Sequence, residues 1–178
     1  MEFSKLIEER RSIRDYAEGT EICKADVEQM IYAAQQAPSW RNSQTGRYYA
    51  VISKDAAQTL RTTCLPGFNR DRTVNAAFIV TTFKRGIVGY TPDGVPTDSL
   101  ADGWGAYDLG LQNENLLLKA RELGYDTLIM GLRDEPKLRE MLSVPEDEIM
   151  VAVIAIGKRK ADPAKPARRP IDEIVKFF

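Results

Sequence analysis

Three arginines and a serine stand within five residues near the start of the chain, at Arg10, Arg11, Ser12 and Arg14. Guanidinium groups this close repel one another. An oxyanion such as a phosphate relieves the repulsion, because the planar fork of arginine donors matches its oxygens. A solvated basic helix end, favoured by the helix dipole, is the more ordinary explanation when the run is read alone. Three further segments carry related chemistry. The loop at residues 38–44 holds Pro38, Ser39, Asn42 and Gln44. Amides donate and accept, so they can read the edge of a heterocycle that does both. Asn69 and Arg72 stand just before an apolar run, and Arg168 and Arg169 stand near the end of the chain. Together these are anion donors and amide readers, with no nucleophile dyad and no metal-ligand set.

The chain of 178 residues contains no histidine. That removes Ser-His-Asp and Cys-His nucleophilic catalysis, nearly all zinc sites, and the usual general base near neutral pH. If the chain is an enzyme, a bound organic cofactor is the economical source of its reactivity. Cys23 and Cys64 do not form a C-x-x-C pair and cannot build a metal site alone, so free cytoplasmic thiols are the expected state. A formal net charge of −1 argues against a general nucleic-acid surface. With 43% hydrophobic and 29% charged residues, one globular domain is expected over residues 1–178. The opening residues carry no long apolar run, so neither a signal peptide nor a membrane anchor is expected. No G-x-G-x-x-G or P-loop fingerprint occurs, and the nearest match, at residues 103–110, has the wrong third spacing. A phosphate would therefore be held mainly by side chains.

The elements that must position these groups follow from hydrophobic spacing. An opening helix is expected to turn Phe3, Leu6 and Ile7 to a core. Residues 24–36 read as a helix with Val27, Met30, Ile31 and Ala34 inward, stopped by Pro38. A strand at 48–53 and a short helix at 54–63 come next, then a buried strand at 76–83. Residues 84–101 are rich in glycine and proline and irregular, a length of loop that is usually functional or mobile. The helix at 103–123 carries apolar residues over much of its circumference and should be central and largely buried, with Gly124 as its cap. A strand at 125–130 ends at Gly131, Asp134 caps a helix reaching Leu142, and the apolar run at 150–156 reads as a central strand. The tail ends apolar in Ile174, Val175, Phe177 and Phe178, so it docks on a partner subunit or packs back on its own domain. Alternating helices and strands suggest a layered α/β fold with a parallel sheet.

With motifs and elements in order, the chain resembles the FMN-dependent nitroreductase family. RRSIRDY at residues 10–16 is similar to the family's R-R-S-x-R-x-[FY] opening. APSWRNSQ at 37–44 is similar to its A-P-S-x-x-N-x-Q loop. FNRDR at 68–72, followed by NAAFIV, resembles its Asn-x-x-[Lys/Arg] segment before a strand. Residues 106–131 resemble its long helix, strand and glycine. Each motif is weak alone; their order and spacing are specific and cover essentially the whole chain.

The resemblance implies an α+β three-layer sandwich, with a mostly antiparallel sheet flanked by helices, in an interlocked homodimer. This displaces the parallel sheet, and residues 158–178 become a tail docking on the partner subunit. Arg10 and Arg14 match positions contacting FMN at its phosphate and its pyrimidine edge or ribityl chain. Arg11 belongs to the same cofactor-binding run, and Ser12 matches a further flavin contact. Pro38, Ser39, Asn42 and Gln44 match the loop that reaches FMN from the other subunit. Asn69 and Arg72 match a polar pair near the pyrimidine ring. Met130 and Gly131 match the turn beside the reactive flavin edge, and Arg168 or Arg169 a tail arginine closing on the phosphate. A cation at the flavin N1–O2 edge, Arg14 or Arg72, would stabilise the reduced flavin.

The implied activity is NAD(P)H-dependent reduction of nitroaromatics, quinones or similar small oxidants, by ping-pong hydride transfer through flavin N5. The flavin carries the chemistry, with no metal, nucleic-acid or membrane partner and a cytoplasmic location. A non-catalytic FMN carrier or sensor, and a specialised relative such as a reductive dehalogenase, are the alternatives. Departures from the pattern are Trp40-Arg41, which puts bulk and charge in the cofactor loop, and a short lid at 86–102. The turn at Met130-Gly131 also lacks the acidic residue or second glycine of some members. Tyr90 and Trp104 could line a substrate face or simply pack.

Overall fold

The structure is a computed structural model and describes residues 2–178. Its centre is a four-stranded sheet of β1 (Gly46–Val51), β2 (Ala77–Lys84), β3 (Asp126–Met130) and β4 (Glu148–Gly157). The order is β1-β2-β4-β3 and every pairing is antiparallel. The parallel sheet suggested by alternation is thus overturned. The register gives the reason: Val51, ending β1, sits opposite Phe78 at the start of β2. The helices between them, α3 (Lys54–Cys64) and α4 (Gly67–Asp71), make an excursion that returns to the same end of the sheet. Alternation of helix and strand says nothing about the end to which the chain returns.

Helices cover both faces. α2 (Lys24–Gln35) and α5 (Gly103–Glu122) pack on one side, where Val27, Met30, Leu116 and Ala120 meet Ile79, Ile154 and Ile156. α3 and α6 (Glu135–Leu142) pack on the other, where Leu60 and Leu138 meet Phe78, Val80, Val153 and Ala155. Successive strand residues point to opposite faces, so strands covered on both sides read as unbroken apolar runs. The three-layer α+β sandwich is as the resemblance implied. Local chemistry sets the ends: Ser53 accepts from the Ala56 N–H, Asp134 accepts from the Lys137 N–H, and Gly124 follows α5 at φ +85°.

Two burial expectations are corrected. In α1 (Phe3–Glu9) only Leu6 is buried, while Phe3 and Ile7 are exposed. A seven-residue helix resting chiefly on α5 has one inward position to offer. α5 is not covered all round either: Tyr107 is 59% exposed and Leu111 and Leu118 are half-buried, so one face of this helix has no cover within the chain. The tail leaves the sheet after Gly157 and forms one short 3₁₀ turn, Ile171–Glu173. Ile174, Phe177 and Phe178 are exposed, so it does not pack back on its own domain. No helix among the described residues is long and apolar enough to cross a membrane.

Candidate functional site

The arginine run leaves α1 in an extended conformation along the outer edge of β3. The Ile13 N–H donates to the Thr127 carbonyl at 2.9 Å, and Ser12 bridges Thr127 in the parallel sense. Ile13 and Tyr16 are buried, which leaves Ser12 and Arg14 exposed. The spacing R-R-S-I-R-D-Y is thus an anchoring pattern as well as a charge cluster. Arg14 lies between this bridge and Tyr16, which bridges Arg159 just past the end of β4, so it stands beside the Asp126 end of β3. Arg10 instead turns to α5, its Nε 3.5 Å from Glu114 Oε1. Arg11 folds back on the end of α1, donating to the carbonyls of Glu8 and Arg10, as a helix-end cap does.

The turn after β3 is fixed from α4. Buried Asn69 donates through Nδ2 to the Leu132 carbonyl at 2.8 Å, and its own carbonyl accepts from Thr73 Oγ1 at 2.7 Å. The Met130 side chain is in the core, while Gly131 is exposed with open space where a Cβ would stand. Arg72 closes α4 on the surface, its guanidinium 5.3 Å from the Phe68 ring centroid. β3 therefore carries two groups: Ser12 and Arg14 beside its Asp126-Thr127 start, and at its other end the Met130-Gly131 turn that Asn69 fixes. Exposed guanidinium and hydroxyl donors, a turn fixed by a buried amide and an uncrowded backbone suit a flat cofactor bearing a phosphate.

The second group stands apart. The loop at 38–44 is held to α5 by buried Asp108, whose Oδ2 accepts from the Trp40 N–H at 2.8 Å. Ser39 Oγ accepts from the Gln44 N–H, and Asn42 Oδ1 from Gln44 Nε2, at 3.2 and 3.1 Å. Arg41, Asn42 and Gln44 hold φ values of 49°, 55° and 49°, a left-handed region that non-glycine residues enter at a cost. Pro38 precedes the turn on the surface. Trp40 packs on Trp104 (ring centroids 5.2 Å apart), and Trp104 on Tyr107 at 5.8 Å; Asp98 accepts from the Trp104 indole N–H. Tyr90 bridges Pro96 within the lid segment. Among the described residues, no hydrogen bond or ion pair joins this loop to the arginine run or to Gly131. Asp108, its anchor, and Glu114, the partner of Arg10, project from different sides of α5, one buried and one exposed. Arg168 and Arg169 are also apart, satisfied locally by the Pro166 carbonyl and by Glu173.

Besides Asp108, two further buried acids escape a reading of the sequence. Glu148 Oε2 accepts from Tyr49 Oη at 2.7 Å and Thr82 Oγ1 at 2.5 Å, and Oε1 lies 3.3 Å from Lys84 Nζ. Burial raises its pKa, but these three donors outweigh that and hold the carboxyl below the usual range. Tyr49 is pushed up to about 12 by burial and by this bond to Glu148. Asp126, at the start of β3, is the second. Asp126 heads the apolar run of β3, and Glu148 is the last of three consecutive acids before the apolar run of β4, so neither stands out as an inward residue in the sequence. Two cavities, of about 710 and 580 Å³, lie elsewhere: one beside Cys23, Ser53 and Asn75, the other along Ile31 and Tyr32 of α2. Neither is lined by a residue of the expected site.

Comparisons with known proteins bear on this arrangement. A family model described as "Nitroreductase family" matches residues 7–158. The Bacillus subtilis protein named "Putative NAD(P)H nitroreductase YdgI" is 25% identical over 205 aligned positions, covering 99% of this chain and 97% of that protein. Among solved structures, an Exiguobacterium sibiricum protein described as a "putative nitroreductase in complex with FMN" superposes with a TM-score of 0.81 at 25% identity, covering 100% of this chain and 98% of that one. A nitroreductase family protein of Streptococcus pneumoniae gives 0.84 at 18% identity, covering 99% and 100%, a likeness of fold alone.

Proposed function

Because the chain belongs to the nitroreductase family, we propose that it is an FMN-dependent NAD(P)H oxidoreductase that reduces nitroaromatics, quinones or similar small oxidants. The observation that carries this reading is that one edge strand, β3, bears Ser12 and Arg14 beside its start and the Asn69-held Gly131 turn at its end. A relative named for NAD(P)H and a neighbour complexed with FMN support the cofactor and the electron donor. When bound, FMN would supply the redox chemistry, which this chain without histidine has no side chain to supply.

The chain's own groups bind and orient. Arg14 and Ser12 offer donors to the phosphate and ribityl chain, and Arg10 joins them by exchanging Glu114 for the stronger anion. Arg11 braces the run from the helix end. Asn69 keeps the Gly131 backbone N–H in place at the reactive edge, and Arg72 stands near as a cation for the electron-rich pyrimidine. Pro38, Ser39, Asn42 and Gln44 complete the site from the partner subunit, and Arg168 or Arg169 closes on the phosphate when the tail docks. The uncovered face of α5 around Tyr107 and the exposed apolar tail support a homodimer of single-domain chains. The unpaired Cys23 and Cys64 suit a reducing, cytoplasmic setting.

Anaerobic turnover tests this reading. FMN-loaded protein should oxidise NADH or NADPH with menadione or a nitroaromatic as acceptor, giving the parallel double-reciprocal lines of a ping-pong mechanism. Firmly bound FMN with no turnover on any acceptor would leave a carrier or sensor.

A further inference from the structure

The segment bearing the arginines is moored by a buried charge cluster. Asp126 is 3% exposed. Its carboxylate accepts a fork from Arg159, Nε to Oδ2 at 2.9 Å and Nη2 to Oδ1 at 2.6 Å, and also the Arg159 backbone N–H at 3.2 Å. Arg121 adds Nη1 to Oδ1 at 3.3 Å. Both arginines then turn to one residue. Arg159 Nη2 donates to the Glu9 carbonyl at 3.2 Å, and Arg121 Nη2 to Glu9 Oε2 at 3.2 Å. Glu9 directly precedes Arg10. On the far side of the run, the Ala17 N–H donates to the Lys158 carbonyl at 2.8 Å and the Lys160 N–H to the Asp15 carbonyl at 3.1 Å. The flanking residues of Arg159 thus hold the far end of the segment whose near end its side chain holds.

A buried ion pair is weak support for stability, because well-packed apolar residues often serve as well. What a guanidinium adds is geometry: a rigid fork that fixes one carboxylate and still reaches a third acceptor. We propose that Asp126 and Arg159 are positioning residues, which set the Glu9 carbonyl and so the place at which the following arginines present their donors to the phosphate of FMN. The inference rests on the FMN reading above.

The test compares FMN with riboflavin, which differ by the phosphate alone. The purified full-length chain is stripped of flavin and titrated with each. Arg159→Lys keeps a positive charge beside Asp126 but cannot hold the fork and Glu9 together. It should bind FMN about tenfold more weakly, the scale of one charge-assisted hydrogen bond, with riboflavin affinity unchanged. Glu9→Gln, which removes the ion pairs with Arg121 and Lys5 but leaves the Glu9 carbonyl on Arg159, should lower the FMN preference less. Equal weakening of both flavins, or an unchanged preference, in a folded Arg159→Lys would overturn the inference while the FMN reading stands. Should that variant lack the wild-type circular dichroism, Glu9→Gln decides, and a wild-type preference there overturns it. A wild-type chain that takes up neither flavin would remove the FMN reading and this inference with it.

Discussion

Arg14 is exposed on a segment whose neighbours Ile13 and Tyr16 are buried, so its side chain can be cut without loosening its backbone. Arg14→Ala should therefore weaken FMN binding by ~1.5–3 kcal/mol, the worth of a hydrogen bond to a charged group, with little change in Tm. An unchanged flavin dissociation constant would take Arg14 out of the site. Glu148 gives a prediction in pH. Its carboxyl is held below the ordinary 4.5 in the folded chain, so it favours folding above that value and loses this contribution as the pH falls through its folded value. Glu148→Gln should cost stability near neutral pH, by denaturant titration, and the deficit should shrink in acid below 4.5. A deficit independent of pH would mean that the carboxylate's charge is not what matters. The arginine run was legible because adjacent like charges need an explanation. Asp126 and Glu148 were not, since an acid at the head of an apolar strand looks the same whether it faces water or buried donors.

At the level of elements, the loop at 38–44 depends on α5. Three positive φ values persist there because Asp108 and Ser39 bond its backbone from inside. Asp108→Ala should relax the loop and weaken FMN binding while the sheet and its circular dichroism persist; wild-type affinity in that variant would show that the loop does not reach the cofactor. Gly105 makes a different demand, because a Cβ there would collide with the Phe83 ring. Gly105→Ala should cost about 1–3 kcal/mol by urea titration, as overpacking does. Elements with a strong period or a chemical stop were readable: the stripe of Val27, Met30 and Ala34, the cap at Asp134, the glycine after α5. The five-residue α4 was not, since a single turn has no period, and strand direction was not, since the return of β2 beside Val51 is a tertiary fact.

Over the whole molecule, the expected site residues form separate groups within one chain: the outer edge and terminal turn of β3, the loop on α5, and the tail. A single chain's pattern cannot show that a neighbour supplies the missing wall; only the ordered motifs pointed to it. The exposed residues of α5 and of the tail, with Phe177 88% exposed, are the surfaces on which that assembly would rest. Truncation before Arg168 should loosen both dimer and flavin, measured by sedimentation and by FMN titration. A shortened chain that stays dimeric and holds flavin as tightly would contradict the docked tail. The central claim is that this fold holds a flavin which a nicotinamide can reduce. It is tested most directly by mixing the purified, FMN-loaded protein anaerobically with NADH and NADPH in turn and following the oxidised-flavin absorbance. Rapid bleaching with at least one donor is the expected result; bound flavin that stays oxidised with both would contradict the account.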